Sequence, residues 1–500
     1  MKKYRILFLI LLFSVTLFRL FYIQSLSLCP DEAYYWCWSQ NLSLSYYDHP
    51  PMVAYLIFFF TWLGKNSEFF VRLSSVLVSF ALTIFAYLLG RDIFKSEKVG
   101  FFSALLLNVI PGFSIGGIII TPDTPLVFFW ALTFYLLYQL VKKDNKNLWY
   151  PLGISLGLGL LSKYNMVLFL PCTLIFLLLS RENRKWFRYK EPYLALLLAF
   201  LIFLPVIIWN YNHGWVSFIK QFGHGLGKKG SSLINLGAYL GSQAGIISPF
   251  IFFAMIWAMV KSFRIGLKKQ DRNLLLLFSF SLPIIIFFAL TSLLAKVEAN
   301  WPAVGYLTAS IALAGLFAKK FEKRRGPLLI PLTTVVLIFS LLLTVFVHYP
   351  SLMGLAYDAL PADVDPFNRL SGWPQLGERV NEVMEGMDKD RTFIFTPRHQ
   401  LASEIAFYTS KEKHGIYALN GKDRYDYWGQ VDLRSQDAVF VTLSGYNKAD
   451  WIMSHFRSFQ EEGPLKIYRK GKLAKTFTIW RCYDYYGGLL GEKEGYFSKE

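Results

Sequence analysis

Long apolar stretches alternate with short basic segments over the first 350 residues of the chain. A helix needs about 20 mostly apolar residues to cross the hydrocarbon core of a membrane. Such stretches recur between residues 5 and 348. The pattern predicts eleven membrane-spanning helices, at residues 5–25, 70–90, 99–118, 122–141, 148–161, 164–180, 192–211, 243–260, 273–295, 302–318 and 327–348.

The pattern changes after residue 348, where short apolar runs alternate with helical periodicity. Runs of that length are typical of strands in a small α/β domain. Residues 392–396, 415–419, 437–443 and 473–482 are predicted strands, and residues 399–410 a predicted helix. The sequence therefore predicts a membrane domain at 1–348 and a soluble α/β domain at 349–500.

The charge distribution orients these segments. The formal net charge is +18, yet residues 349–500 hold 20 basic and 21 acidic residues, so the excess lies in the membrane part. The segments on one side of the predicted spans contain 24 Lys and Arg residues, and the short loops on the other side contain six. Cytoplasmic loops carry the basic excess, which predicts a cytoplasmic N-terminus and a periplasmic C-terminal domain. Because the cations form no single patch, a nucleic-acid partner is not predicted.

Composition excludes a soluble fold and a cysteine-based zinc or disulfide site. The chain is 54% hydrophobic and only 17% charged, which a soluble fold cannot hide. The four cysteines lack the spacing of a zinc site or a disulfide framework. The apolar run after Lys2, Lys3 and Arg5 is longer than a signal-peptide core, and we interpret it as an uncleaved first span.

Acidic residues collect in loops on the sparsely charged side. The first such loop, residues 26–69, carries Asp31 and Glu32 after Pro30, then Asp48 and His49. The segment starting at Pro30 and the short apolar stretch 53–63 are predicted to form interfacial helices. A third acid, Asp123, lies at the mouth of the fourth span. Carboxylates at helix starts also stabilise the helix dipole. The alternative that these acids serve only as helix starts therefore stays open beside a shared active site.

Further polar residues lie on the same side. The loop at 212–242 is rich in glycine and contains His224 and Lys228. Lys163 and the pair Asn300–Trp301 lie at the same interface. Cations and flexible glycines suit a phosphate ligand, although a solvated loop or snorkelling lysines explain them equally well.

Two other classes of protein were considered. Transporters usually bury ionisable residues near the middle of their spans, whereas Arg19 is almost the only charge inside a span here. A lipid or solute transporter is therefore the weaker alternative. An assembly protein whose exported domain binds a partner is another, and it would not need the three acids.

The combination of motifs resembles a known family. An acidic pair opens the first outer loop, a Tyr-Asp-His-Pro-Pro element ends at Pro51, and Asp123 follows the third span. This order is similar to that of the GT-C glycosyltransferases, in particular the superfamily of the aminoarabinose (lipid A) transferases and protein O-mannosyltransferases. The resemblance implies a GT-C fold with about 11–13 transmembrane helices, and covers most of residues 1–350.

The resemblance also implies residue roles. It makes Asp31, with its neighbour Glu32, and Asp48 the catalytic acids. His49 stands where relatives have a lysine expected to contact the donor phosphate, and Tyr34 where they can carry an arginine. The remaining roles it implies are donor-phosphate contacts at Lys163 and Lys228, substrate contacts at Asp123, Asn300 and Trp301, and a divalent metal ion held by Asp48 and His224.

The expected activity is transfer of a sugar from a polyprenyl-phosphate carrier, with inversion at the anomeric carbon. Asp31 acts as a general base when the acceptor is a hydroxyl. Lipid A or lipopolysaccharide is the favoured acceptor, and a protein acceptor is the alternative. Membrane lipids and the carrier-linked sugar are the expected partners. The sugar and the oligomeric state stay open.

Overall fold

Helices occupy most of the first 348 residues in this computed structural model. It describes residues 2–226, 232–323, 329–354, 357, 365–388, 390–409, 415–419, 432–447 and 449–489. The helices of this part are α1 (Lys2–Tyr22), α2 (Pro30–Gln40), α3 (Met52–Gly64), α4 (Glu68–Phe94), α5 (Glu97–Val109), α6 (Pro111–Gly116), α7 (Asp123–Lys143), α8 (Trp149–Leu160), α9 (Phe169–Leu179), α10 (Glu191–Asn212), α11 (Val216–Leu226), α12 (Ser232–Ile247), α13 (Pro249–Lys269), α14 (Arg272–Ser279), α15 (Leu282–Ser292), α16 (Ala303–Lys323) and α17 (Leu329–His348).

Several of these helices are long and apolar enough to cross a membrane. In the described part of the chain there are six: α1, α4, α7, α10, α13 and the continuous segment Arg272–Ser292 formed by α14 and α15. A seventh results if the bent pair Tyr164–Leu179 and Arg181–Arg188 crosses as one span. The protein is therefore a multi-pass membrane protein. Shorter helices such as α5, α8 and α9 lie in other expected spans, and the count of eleven crossings stays a prediction.

The expected span at 243–260 is wrong in its position. The chain breaks at Ser248, whose φ is +84°, and Pro249 starts a new helix there. Proline lacks the N–H that helix continuation needs but suits a first helical turn. The spanning helix is therefore Pro249–Lys269, and Ser232–Ile247 is a separate helix.

Aromatic side chains fill the centre of the membrane part. The ring of Phe280 lies 4.6 Å from that of Phe169 and 5.1 Å from that of Phe134. Trp130 meets Phe169 edge-on at 5.2 Å. These offset and edge-to-face contacts are the favourable ones for aromatic rings. They join α7 and α9 to the connection between α14 and α15.

The expected interfacial segments are both helices. Pro30 occupies the first turn of α2, where its missing N–H costs nothing, and Asp31 and Glu32 follow it at the positive end of the helix dipole. The apolar segment 53–63 lies within α3, which has 13 residues and is too short to span.

The C-terminal part contains a mixed five-stranded sheet. Its strands are β1 (Thr392–Thr396), β2 (Ile416–Ala418), β3 (Asp437–Leu443), β4 (Phe456–Arg469) and β5 (Lys472–Tyr485), in the order β2-β1-β3-β5-β4. β1 pairs in parallel with β2 and β3, and β5 pairs antiparallel with β3 and β4. In the described parts of this region three helices accompany the sheet: α18 (Trp373–Glu385), α19 (His399–Tyr408) and α20 (Ala449–Met453).

One hydrophobic cluster joins the sheet domain to the first loop of the membrane part. Ala33, Trp36 and Ile57 share it with Leu376 and Ile405. Helix α19 therefore packs against α2. Helix α2, which carries the first acidic pair, is held between the membrane helices and the C-terminal domain.

Candidate active site

The two acids at the start of α2 have different environments. Asp31 is exposed, whereas Glu32 is fully buried. Glu32 forms an ion pair of 2.5 Å with Arg72, a buried residue of α4. It also accepts hydrogen bonds from the backbone N–H groups of Ile120 at 3.0 Å and Cys29 at 3.0 Å.

Arg72 completes this buried network. Its Nε donates to Glu32 at 2.8 Å, and its terminal nitrogens donate to the backbone carbonyls of Ile23, Leu26 and Ser27. A buried carboxylate with this many donors is fixed and has no room for a substrate. These contacts fit a structural role for Glu32, and the catalytic role that the resemblance implies for it stays a prediction.

The second acidic motif gathers a cation and two polar side chains around Asp48. The ammonium of Lys220, in α11, pairs with Asp48 Oδ1, and the hydroxyl of Tyr34 donates to Oδ2 at 3.0 Å. The side-chain amide of Gln221 donates to the backbone carbonyl of Asp48 at 2.6 Å. Lys220 also lies 4.3 Å from the ring centroid of Tyr47. Asp48 thus fixes α11 against the loop after α2.

Asp123 has a matching set of partners. Lys163 donates to its two carboxylate oxygens at 2.8 and 2.9 Å, and the amide of Asn300 donates at 2.5 Å. Trp301 does not join this set through a hydrogen bond in the described contacts; its ring packs 5.9 Å from that of Phe288. Each of the two acids is therefore paired with one lysine.

His49 lies between these two ion pairs. Burial, followed by the positive charges of Lys163 and Lys220, lowers the pKa of its imidazole to about 4, although Asp48 and Asp123 raise it. The buried Nδ1 atom has no hydrogen-bond partner among the described residues. The imidazole is thus neutral at pH 7, so it offers a hydrogen bond to a phosphate but no formal charge, unlike the lysine expected at this position.

Tyr35 links the three acids electrostatically. Burial, and then the charges of Asp31, Asp48 and Asp123, all raise the pKa of its hydroxyl well above the usual value. The charges of all three carboxylates therefore act on one hydroxyl. These acids are spread over 92 positions of the sequence.

Two predicted residues lie outside this description. Lys228 and the side chain of His224 are not among the described residues. Within the described part of the chain, no group of three His, Cys, Asp or Glu side chains is arranged to hold a metal ion. Asp48 is paired with Lys220, and a metal ion held by Asp48 and His224 stays a prediction from the resemblance.

Sequence analysis missed Lys220 and Tyr35. Lys220 had been counted only as a loop lysine. The segment around it is an α-helix with Ser217, Lys220 and Gln221 within one turn, and this helical spacing was the signal that the sequence offered. Tyr35 carried no signal, because it is one of several aromatic residues in a row.

The chain is similar to known enzymes of one fold. Residues 48–209 match the profile of the dolichyl-phosphate-mannose-protein mannosyltransferase family. The lipid A galacturonosyltransferase RgtD of Rhizobium johnstonii is 30% identical over 296 residues, 59% of this chain and 61% of that protein. The undecaprenyl phosphate-α-4-amino-4-deoxy-L-arabinose arabinosyl transferase 2 of Proteus mirabilis is 24% identical over 275 residues, 46% of this chain and 49% of that protein.

A solved structure gives the fold. ArnT from Cupriavidus metallidurans, in a crystal structure with bound undecaprenyl phosphate, superimposes with a TM-score of 0.65 at 13% identity. The superposition covers 94% of this chain and 97% of that one. The chain therefore has the GT-C fold, as the resemblance implied. The sequence match to the galacturonosyltransferase spans 61% of its length, less than two thirds.

Proposed function

We propose that the protein is an integral-membrane glycosyltransferase that moves a sugar from an undecaprenyl-phosphate type of donor to lipid A or lipopolysaccharide. The observation that carries this proposal is the pair of carboxylate–lysine contacts, Asp48 with Lys220 and Asp123 with Lys163, in the same structure as the exposed Asp31 of α2. The relatives named above, which act on lipid A and on undecaprenyl-phosphate-linked aminoarabinose, support it.

The reaction is a single displacement. An acceptor hydroxyl oxygen attacks the anomeric carbon and forms the new C–O bond, while the bond from that carbon to the carrier phosphate breaks. The electron pair of the broken bond leaves with the phosphate, and the hydroxyl proton passes to the Asp31 carboxylate. Asp31 suits this role because it is exposed, so an acceptor can reach it. Attack from the face opposite the leaving group inverts the anomeric configuration.

The cations serve the donor phosphate. Lys163 and Lys220 are each held by one carboxylate, which fixes their positions before the donor binds. Fixed cations stabilise the charge that develops on a leaving phosphate better than mobile ones do. His49 adds a neutral imidazole to the same region, and the Tyr34 hydroxyl holds Asp48 in place. Asp123, Asn300 and Trp301 are assigned to substrate contacts, as the resemblance implies.

The reaction takes place on the non-cytoplasmic side of the membrane. The basic segments between the helices favour an N-terminus in the cytoplasm and a sheet domain in the periplasm. The active site faces the same side as that domain, because α19 packs on α2. A carrier lipid in the outer leaflet then presents its head group directly to the site.

Protein glycosylation is the second candidate. The match of residues 48–209 to the protein mannosyltransferase family favours it. The two candidates share donor chemistry and differ only in the acceptor, so one assay separates them.

The test uses the purified full-length protein in detergent. It is incubated with undecaprenyl-phosphate-linked galacturonic acid or aminoarabinose and with lipid A, and released undecaprenyl phosphate and glycosylated lipid A are measured. We expect both products from the wild type and a loss of 100-fold or more in Asp31→Asn, as for loss of a general base. Asp450→Asn, an exposed acid in α20, is the matched control. Undiminished transfer by Asp31→Asn contradicts the assignment of the base.

Metal dependence is tested in the same assay. A metal ion bridging Asp48 and His224 stays a prediction from the resemblance. Transfer that survives EDTA at the wild-type rate removes it, and transfer that falls with EDTA and recovers with Mg²⁺ or Mn²⁺ supports it.

A further inference from the structure

A second, uncharged polar cluster adjoins the charged site. It consists of side chains from four neighbouring elements: the loop after α2, the 3-10 helix Tyr164–Leu168, the end of α10 and the start of α11. Its members are Ser45, Tyr164, Asn165, Asn210 and Ser217.

The cluster centres on the hydroxyl of Tyr164. That hydroxyl and Ser217 Oγ are hydrogen-bonded at 2.7 Å, and the side chains of Ser45 and Asn210 lie within its reach. Ser45, Asn210 and Ser217 are fully buried, whereas Tyr164 and Asn165 are half-buried. The cluster therefore has an open side at Tyr164 and Asn165.

Two buried polar atoms of the cluster, Asn165 Nδ2 and Asn210 Oδ1, have no hydrogen-bond partner among the described residues. The hydroxyl of Ser45 has that of Tyr164 as its neighbour. The amide nitrogen of Asn210 donates to the carbonyl of Val206 at 2.9 Å, which leaves the oxygen as the unused acceptor. Buried polar atoms are almost always paired. An unused donor and an unused acceptor beside one hydroxyl indicate a missing hydrogen-bonding ligand.

The position of the cluster identifies the kind of ligand. Ser45 precedes Asp48 by three residues, Asn165 follows Lys163 by two, and Ser217 lies one helical turn before Lys220. The same elements thus carry the charged site and the neutral cluster side by side. The cluster contains no charge, so it suits the uncharged hydroxyl groups that lie next to a phosphate in a phosphate-linked sugar.

We propose that this neutral cluster is the subsite that binds the ring hydroxyls of the transferred sugar and sets donor specificity. The inference rests on the proposed function. Lys163 and Lys220 hold the carrier phosphate, and the cluster orients the pyranose ring beside it so that the anomeric carbon faces Asp31.

The test compares three donors with the full-length protein: undecaprenyl phosphate linked to galacturonic acid, to aminoarabinose and to mannose. The variants are Asn210→Leu and Ser45→Ala. Ser155→Ala is the control, because Ser155 is a buried hydroxyl paired with Thr133 at 2.8 Å away from the site. Rates are measured as kcat/KM for each donor, together with inhibition by sugar-free undecaprenyl phosphate.

We expect each cluster variant to lose about tenfold in kcat/KM on the best donor, as for one lost hydrogen bond, and to discriminate less among the three donors. Inhibition by undecaprenyl phosphate stays unchanged, because the phosphate contacts are intact. If the buried variants do not fold, the half-buried Asn165→Ala replaces them.

The proposed subsite is overturned if the cluster variants lose kcat/KM equally on all three donors, or if undecaprenyl phosphate inhibits them more weakly than the wild type. Variants with an unchanged kcat/KM overturn it as well. A wild-type protein that uses none of the donors overturns the proposed function instead, so the two failures are distinguishable.

Discussion

Adjacent carboxylates in this protein differ in what they contact. Glu32 is buried against Arg72 and receives backbone hydrogen bonds, and Asp31 is exposed on the same helical turn. The two neighbouring acids of this motif therefore differ: Glu32 is buried in an ion pair, and Asp31 is exposed to solvent.

The first prediction separates these two roles. Glu32→Gln leaves the Arg72 guanidinium buried without a counter-charge, and we expect a loss of about 3–5 kcal/mol in the free energy of unfolding. Asp31→Asn changes an exposed carboxylate, and we expect less than about 0.5 kcal/mol. Thermal unfolding in detergent measures both. Equal melting temperatures for the two variants contradict this division.

The second prediction concerns His49. Its pKa falls from 6.5 to about 4 on folding, because of burial and the two lysines. Between these values the unfolded chain binds a proton that the folded protein does not, so stability falls as the pH drops from 6.5 towards 4. We expect His49→Gln to flatten this dependence. Melting temperatures at pH 7.5 and pH 5, compared between wild type and variant, check it; identical slopes contradict it.

At the residue scale, sequence identified the acids better than their partners. Asp31, Asp48 and Asp123 were recognisable because each lies within two residues of a proline on the sparsely charged side. Lys220 was not, because pairing between positions 48 and 220 depends on tertiary structure. The same limit hid the burial of Glu32, because its partner Arg72 lies 40 positions away in the chain.

At the scale of elements, the contact between α2 and α19 covers one side of the candidate active site. The ring of Tyr34 meets that of His399 at 4.9 Å, and Trp36 meets Phe407 at 5.0 Å. The hydroxyl of Tyr408 accepts from the backbone N–H of Leu28 at 2.9 Å and donates to Glu68 at 2.9 Å.

A buried acid lies in this contact. Glu404 of α19 is 1% exposed, and its carboxylate oxygens have no hydrogen-bond partner among the described residues. Burial raises the pKa of its carboxyl well above 4.5; Lys475 and Arg72 oppose this rise, while Glu32 and Asp31 add to it. Folding therefore favours the protonated form of Glu404.

The third prediction follows from that proton. A raised pKa gives stability that is fully present below pH 4.5 and is lost as the pH rises towards the folded value. We expect Glu404→Gln, which keeps the shape without the titration, to melt higher than wild type at pH 8 and similarly at pH 4.5. Exposed Glu382→Gln in α18 is the control. A variant that melts lower than wild type at pH 8 contradicts the buried, protonated state.

Elements were predictable where their periodicity was strong. β1 and β3 lie at the predicted residues, and β5 and α19 agree within three residues. β4 was missed, because Gly463 and Pro464 interrupt its alternation and its pairing shifts register there. α18 was missed too, since its apolar face needs the sheet to explain it.

At the scale of the whole molecule, the hydrophobic pattern and the resemblance led to the fold, which the match to ArnT confirms. They did not predict that the C-terminal domain covers α2. That contact depends on one apolar surface from each domain, and neither surface has a periodicity that identifies its partner.

The fourth prediction tests orientation. Alkaline phosphatase is active only in the periplasm, so we expect a fusion after residue 447 to be active and a fusion at 144, in the basic segment after α7, to be inactive. A fusion at 66, between α3 and α4, is expected to be active, on the side of Asp31 and Asp48. Activity at 144 with none at 66 would reverse the orientation.

The bond between Leu28 and Tyr408 joins residues 380 positions apart. Ribosomes add about 5–20 residues per second, so roughly 20–75 s pass between synthesis of α2 and synthesis of the helix that covers it. During that interval the nascent chain already contains the acids of the candidate site but not the helix α19 that packs against α2. We therefore expect the proposed active site to be incomplete until α19 has been exported and has packed against α2.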